Sequence, residues 1–132
     1  MRMQRLVAVL GAVILLLAVA GSATAAAKTS FTGLWISTDT DLSTQVLRVG
    51  TGTSPSVSYQ DFYASVCFNA GSPTTHFNSS GTGTVTGDTL DVHVSMSGCG
   101  PYDNGAYDVT YYYDSGTDTL SDDFGITWYR VV

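Results

Sequence analysis

Between residues 89 and 96 apolar and polar side chains alternate without interruption. Leu90, Val92, Val94 and Met96 fall on one face, and Asp91, His93 and Ser95 on the other. A period of two belongs to a β-strand with one buried side. The run 106–114 repeats the pattern, with Tyr107, Val109, Tyr111 and Tyr113 in phase and Asp108, Thr110, Tyr112 and Asp114 on the wetter face. Shorter segments of the same kind predict strands at 31–37, 44–49, 57–63, 64–70, 81–86, 118–121 and 126–131. Helical periodicity is not found after residue 28, where Thr, Tyr, Val, Ser, Gly and Asp, the residues of strands and turns, predominate.

Turn signals separate these runs at short intervals: Asp39-Thr40-Asp41, residues 51–56, Gly87-Asp88, Asp103-Asn104-Gly105, Ser115-Gly116 and Phe124-Gly125. Connections this short join antiparallel neighbours. One device occurs twice, as Gly87-Asp88-Thr89-Leu90 and as Thr117-Asp118-Thr119-Leu120, each a turn followed at once by a strand opening Thr-Leu. The expected fold is therefore all-β, a single antiparallel meander of about eight strands closed as a small barrel, with a β-sandwich as the alternative way of hiding sheet edges.

The start of the chain has another character. Arg2 and Arg5 precede the apolar or small residues 6–20, and small residues from Ala23 to Ala27 follow. This is the layout of a secretory signal peptide over residues 1–27, with cleavage expected after Ala25 or Ala27, leaving one domain at 28–132. The expected location is extracellular, or periplasmic where an outer membrane exists. Without the leader, Lys28, Arg48 and Arg130 face eleven Asp and no Glu, a net charge of about −8. A surface of that sign argues against nucleic acid and against an anionic membrane as partners.

Cys67 and Cys99 are the only cysteines. Export to an oxidising compartment predicts a disulfide between them, and closing that loop is worth on the order of 3 to 4 kcal/mol in the chain-entropy model. Neither cysteine lies in a Cys-x-x-Cys or beside a histidine, so no thiolate metal site is expected.

Gly33-Leu34-Trp35 opens the first expected strand, and Trp128-Tyr129-Arg130 lies in the last. In this placement the chain resembles the calycin group, the lipocalins and their avidin-like and fatty-acid-binding relatives. The resemblance implies a barrel in which Gly33 and Trp35 on the first strand meet a late arginine, Arg130, packed over the indole where the barrel closes. It also implies a small-molecule site within the barrel. A middle Thr-Asp-Tyr motif is not present, and the chain is shorter than a typical lipocalin.

Three kinds of candidate chemistry remain. The Asp pairs 39/41, 114/118 and 122/123 could offer oxygen to calcium, yet they lack the EF-hand pattern, and Asp is also an ordinary turn residue. No metal and no cofactor are expected. His76, expected in the loop after Pro73, and His93, on a polar strand face, make no catalytic motif, and no Gly-x-Ser-x-Gly elbow is present. The tyrosines carry more. Tyr107, Tyr111 and Tyr113, with Trp128, could line the interior and hold a small amphiphilic ligand, whereas outward Tyr112 and Tyr129 could form a platform. Rings that merely fill a small barrel are the competing explanation. The expected function is a secreted, non-enzymatic binding protein, lipocalin-like, for a small amphiphilic ligand or acting as a surface interaction module. A carbohydrate- or envelope-binding sandwich is the alternative, followed by a small hydrolase or inhibitor.

Overall fold

The computed structural model describes residues 31–62, 64–65, 67, 76–100 and 103–131. The leader expected at 1–27 lies outside them. Eight strands follow one another: β1 (Gly33–Thr38), β2 (Thr44–Val49), β3 (Ser56–Phe62), β4 (His76–Thr86), β5 (Thr89–Ser97), β6 (Ala106–Asp114), β7 (Thr119–Asp122) and β8 (Thr127–Arg130). Each pairs antiparallel with the next, and β8 returns to β1 to close a barrel in meander order. The sandwich alternative is set aside.

Closure falls on the first and last strands. Trp35 pairs with Arg130 and Ile36 with Tyr129. The seam is lengthened below by Val131 N–H donating to the Leu34 carbonyl at 2.8 Å. Above, the Ser37 hydroxyl donates to the Thr127 carbonyl at 2.6 Å. These bonds give otherwise exposed strand edges their partners.

The two-residue period decides what is inside. Trp35, Leu47, Val57, Leu90, Val92, Val94, Val109, Tyr111, Leu120 and Trp128 are buried in one core. Their neighbours along the strands, such as Asp91, His93, Asp108, Tyr112 and Ser121, are exposed. Apolar inside and polar outside is the sense of a barrel in water, the reverse of a lipid-facing one. The two Thr-Leu devices place Leu90 and Leu120 in this core at the starts of β5 and β7. Gly81 permits the close passage of β4 and β5, because a Cβ there would overlap the His93 carbonyl.

Two expectations are corrected. Of the strand expected at 64–70, Ser65 and Cys67 have helical backbone, and Cys67 N–H donates to the Ala64 carbonyl at 3.1 Å; residues 66 and 68–70 lie outside the described set. The reason is side-chain direction. Ala64 and Cys67 both bury into a small cluster with Cys99, and residues three apart share a side in a helical turn but not in a strand. The second correction is His76, which is not in a loop but begins β4, paired with Phe62. His-Phe-Asn-Ser-Ser is a weak strand former, and hydrogen bonding to β3 and then β5 overrides the propensity.

The barrel ends differ. We call the end holding the β1–β2 loop upper and the opposite end lower. Cys67 and Cys99 form a disulfide with Cα atoms 5.0 Å apart. It ties the β3–β4 connection to the β5–β6 loop at the upper end.

Candidate functional site

The lower end is a plug. Phe31 is buried beneath the barrel and its ring meets Tyr113 at 6.0 Å, while Trp35 meets the same tyrosine edge-on at 6.4 Å. The Trp35 indole N–H donates to the Phe31 carbonyl at 2.9 Å. Over the indole lies Arg130, its guanidinium carbon 4.0 Å from the ring centroid. Arg130 also donates to the Thr32 carbonyl at 2.6 Å and pairs with Asp118 at 2.9 Å. Gly33 is required beside it: its φ is +142°, and a Cβ would come within 3.0 Å of the guanidinium. Tyr113 donates to Asp118 at 3.0 Å, and that bond to a carboxylate holds its phenol above the ordinary pKa.

The upper interior is aromatic and polar together. A chain of rings climbs from the core to the rim: Tyr111 to Trp128 at 6.2 Å, Trp128 to Tyr59 at 5.8 Å, Tyr59 to Phe77 at 5.8 Å, Phe77 to Tyr107 at 6.4 Å, and Tyr107 to Phe124 at 6.2 Å. Trp128 and Tyr111 are buried and form the floor, while Tyr59, Phe77 and Tyr107 are half-buried. Burial pushes the phenols of Tyr59 and Tyr111 well above their ordinary pKa and raises that of Tyr107, so all three remain neutral.

Among these rings lie polar side chains in phase with the apolar set. Gln45 on β2 is opposite Asp61 on β3, and Ser79 on β4 is opposite Tyr59. Some are satisfied: the Trp128 indole donates to Asp122 at 3.0 Å, and Ser79 bonds the Tyr107 hydroxyl at 3.0 Å. Asp122 also accepts the Phe124 and Ile126 N–H groups of the β7–β8 turn. Others are not. Ser43 Oγ, Gln45 Oε1 and Asp61 Oδ1 are buried without a hydrogen-bond partner, in residues only 3%, 1% and 5% exposed. Asp61 Oδ2 accepts the Tyr59 hydroxyl at 3.3 Å, and Gln45 Nε2 is committed to Asp39 at 3.1 Å. Desolvation raises the Asp61 pKa, although Ser43, Tyr59 and Gln45 close to it act in the opposite direction.

The β1–β2 loop presents Ser43, and the start of β2 presents Gln45, to this end. Its turn is closed by Leu42 N–H donating to the Asp39 carbonyl at 2.9 Å and Asp39 N–H donating to the Ser43 carbonyl at 3.0 Å, with Leu42 at φ +69°. Asp41 accepts the backbone N–H groups of Ser43 and Ser65, pinning the loop to the start of the disulfide-bearing segment. Hydrogen bonds from Ser65 and then Ser43 hold its carboxyl far below the ordinary range.

The structure divides the four residues expected to line a ligand. Tyr111, Trp128 and Tyr107 belong to the upper ring chain, whereas Tyr113 belongs to the lower plug. The Asp pairs have partners within the protein: Asp114 takes the Gly116 N–H in its own turn, Asp118 takes the Arg130 and Tyr113 side chains, and Asp123 takes the Thr110 N–H of β6. His93 pairs with Asp108 at 2.7 Å on the outer face, far from the interior. The sequence singles out Tyr59 only as one of many suggestive tyrosines, and Ser43, Gln45, Asp61, Phe77 and Ser79 not at all. A signal existed for Gln45, which shares the phase of Leu47 and Val49, and for Asp61, which with Tyr59 shares that of Val57. No protein-family model matches the chain, and neither the curated proteins nor the solved structures contain a match.

Proposed function

We propose that the protein is an exported, non-enzymatic binding protein of calycin-like build, and that its site is the upper interior of the barrel. The ligand is a small amphiphilic molecule. One observation carries this reading: three buried polar atoms, Ser43 Oγ, Gln45 Oε1 and Asp61 Oδ1, have no partner, and Asp61 is bonded by the half-buried Tyr59 and lies opposite the half-buried Phe77, which stacks on Tyr107. A buried polar atom left unpaired costs about 1 to 3 kcal/mol, and a bound polar group recovers that cost on binding. The rings supply an apolar wall of the kind small-molecule sites use. Both histidines face outward, so the upper interior offers carboxylates, amide and hydroxyls that bind and orient rather than a nucleophile with its base. The leader and the disulfide fit an extracellular setting.

The test uses the neutral amphiphile N-phenylnaphthylamine, with Trp128 fluorescence as the readout. Saturable binding is expected, weakened about tenfold or more by Tyr59→Ala or Tyr107→Ala. Tyr113→Ala and Tyr112→Ala should leave it unchanged. Loss on Tyr113→Ala in a folded variant, or no saturable binding by the wild type, would overturn the reading.

A second reading rests on the outside of the seam. Ile36 and Tyr129 are register partners exposed to 44% and 58%, and they border a surface groove of about 350 Å³ with Ile126 and Thr38. An interaction module would use that strip. Tyr129→Ala would then abolish partner binding while leaving probe binding intact.

A further inference from the structure

We propose that the upper-end ligand is a small organic ammonium ion, its nitrogen held between Asp61 Oδ1 and Gln45 Oε1 and its apolar body against Tyr59, Phe77 and Tyr107. This rests on the reading of the upper interior as a binding site and adds the chemistry of what enters it.

The unpartnered atoms carry the argument. An amide carbonyl oxygen and a carboxylate oxygen accept hydrogen bonds and cannot donate them, while a hydroxyl does either. Two of the three orphaned atoms, Gln45 Oε1 and Asp61 Oδ1, are therefore acceptors, and Ser43 Oγ adapts. The group that completes them must bring N–H or O–H donors. An alkylammonium has three, directed as a tetrahedron, enough to meet Gln45, Asp61 and Ser43 from one atom.

Charge narrows the choice from donor to cation. Asp61 is 5% exposed, and a carboxylate that deep needs a positive partner or pays in pKa. The protein's described cations are elsewhere: Arg48 is exposed on β2, and Arg130 is at the lower end with Asp118 and Trp35. Asp39 and Asp122 add negative charge around the same interior, the first through Gln45 and the second through Trp128. An anionic ligand would meet all three carboxylates. The rings nearest Asp61 are compatible with the same sign: Tyr59 donates to it and Phe77 is its register partner, and aromatic neighbours tolerate a cation. A bare metal ion fits less well, because no group of three His, Cys, Asp or Glu side chains gathers among the described residues, and the wall beyond the acceptors is aromatic.

The experiment compares three probes of one shape by calorimetry on the disulfide-intact protein: 2-phenylethylammonium, its neutral isostere 2-phenylethanol, and the anion 3-phenylpropionate, with calcium chloride as a fourth titrant. The ammonium should bind about tenfold to a hundredfold more tightly than the alcohol, the range of one charge-assisted hydrogen bond, and the propionate should bind least. Asp61→Asn should bring ammonium and alcohol to similar affinity, the ammonium losing by far the more. Asp91→Asn, on the outer face, should change neither. Equal wild-type binding of ammonium and alcohol would overturn the ammonium assignment and leave the binding reading standing. Absence of binding by all three organic probes to folded protein would overturn both. Saturable calcium binding lost with Asp61→Asn would replace the ammonium by a metal ion. Should Asp61→Asn fail to fold, the wild-type ranking of the probes decides by itself.

Discussion

The two ends of this barrel are built from the same strands with the same alternation, and they end in opposite states. At the lower end Phe31, Trp35, Tyr113, Arg130 and Asp118 interlock, and the indole, phenol and guanidinium groups all have partners. At the upper end a longer chain of rings accompanies Ser43, Gln45 and Asp61, each of which has a buried oxygen without a partner. The contrast shows that polar residues on an inward face have two distinct uses. Paired, they fasten the first strand to the last; unpaired, they cost the fold, and we propose that recognition is what they serve. Natural domains tolerate such a cost where function requires it.

The largest effect should come from the lower plug. Trp35→Ala is expected to cost about 3 to 5 kcal/mol in a urea titration, the range for a fully buried aromatic. Tyr107→Ala, at the half-buried upper rim, should cost less than half as much. If the two losses are equal, the functional contrast between the ends disappears.

The disulfide is the upper end's own fastening. Replacing Cys67 and Cys99 together by serine should lower stability by about 2 to 4 kcal/mol, and titration of the native protein should find no free thiol. A thiol titrating in the unreduced protein would contradict this.

A finer test concerns coupling. Trp35→Ala and Arg130→Ala should be non-additive by roughly 0.5 to 3 kcal/mol in a double-mutant cycle, because the guanidinium lies over the indole. Additive losses would reduce the closure to two independent contacts.

The smallest effect should appear at Asp61, as a dependence on pH. Burial raises its folded-state pKa above the ordinary carboxylate value, so the folded protein binds this proton more tightly than the unfolded chain does. Stability then falls as pH rises from the unfolded pKa through the folded one, and is level above that window. Asp41 acts with the opposite sign, since its pKa is depressed; its contribution is present above the unfolded pKa and is lost as pH falls through the folded one. Asp61→Asn should remove the descending limb and, at neutral pH, change stability by less than about 1 kcal/mol, upward. A variant that keeps the descending limb would show that another group produces it.

Much of this was legible in the chain. The phases of β5 and β6, the turns at Gly87-Asp88 and Ser115-Gly116, and the pairing of the sole two cysteines follow from local chemistry, and the structure has them. Tyr107 and Tyr113 were legible in face but not in height: six residues of strand separate them by about 20 Å, so one small ligand cannot touch both. That spacing could have been used, and it sends Tyr113 to the lower plug. Gln45 and Asp61 were also visible as polar residues in phase with Leu47 and Val57. What they face was not visible, because it depends on which strands become neighbours.

Alternation with a period of two is a property of the backbone, so the sequence alone determined the inward faces of β5 and β6, the turns at Gly87-Asp88 and Ser115-Gly116, and that the fold is all-β. Height along the barrel, and the company a residue keeps there, depend on the register of eight ladders and on β8 returning to β1. These are long-range hydrogen-bonding choices that no local pattern encodes. Only tertiary structure could therefore gather Ser43, Gln45 and Asp61 among rings at one end, whereas Arg130 over Trp35 at the other was already implied by the resemblance that Gly33, Trp35 and Arg130 carry. It alone could also wind Ala64 and Cys67 into a turn, because reaching Cys99 required both on one side.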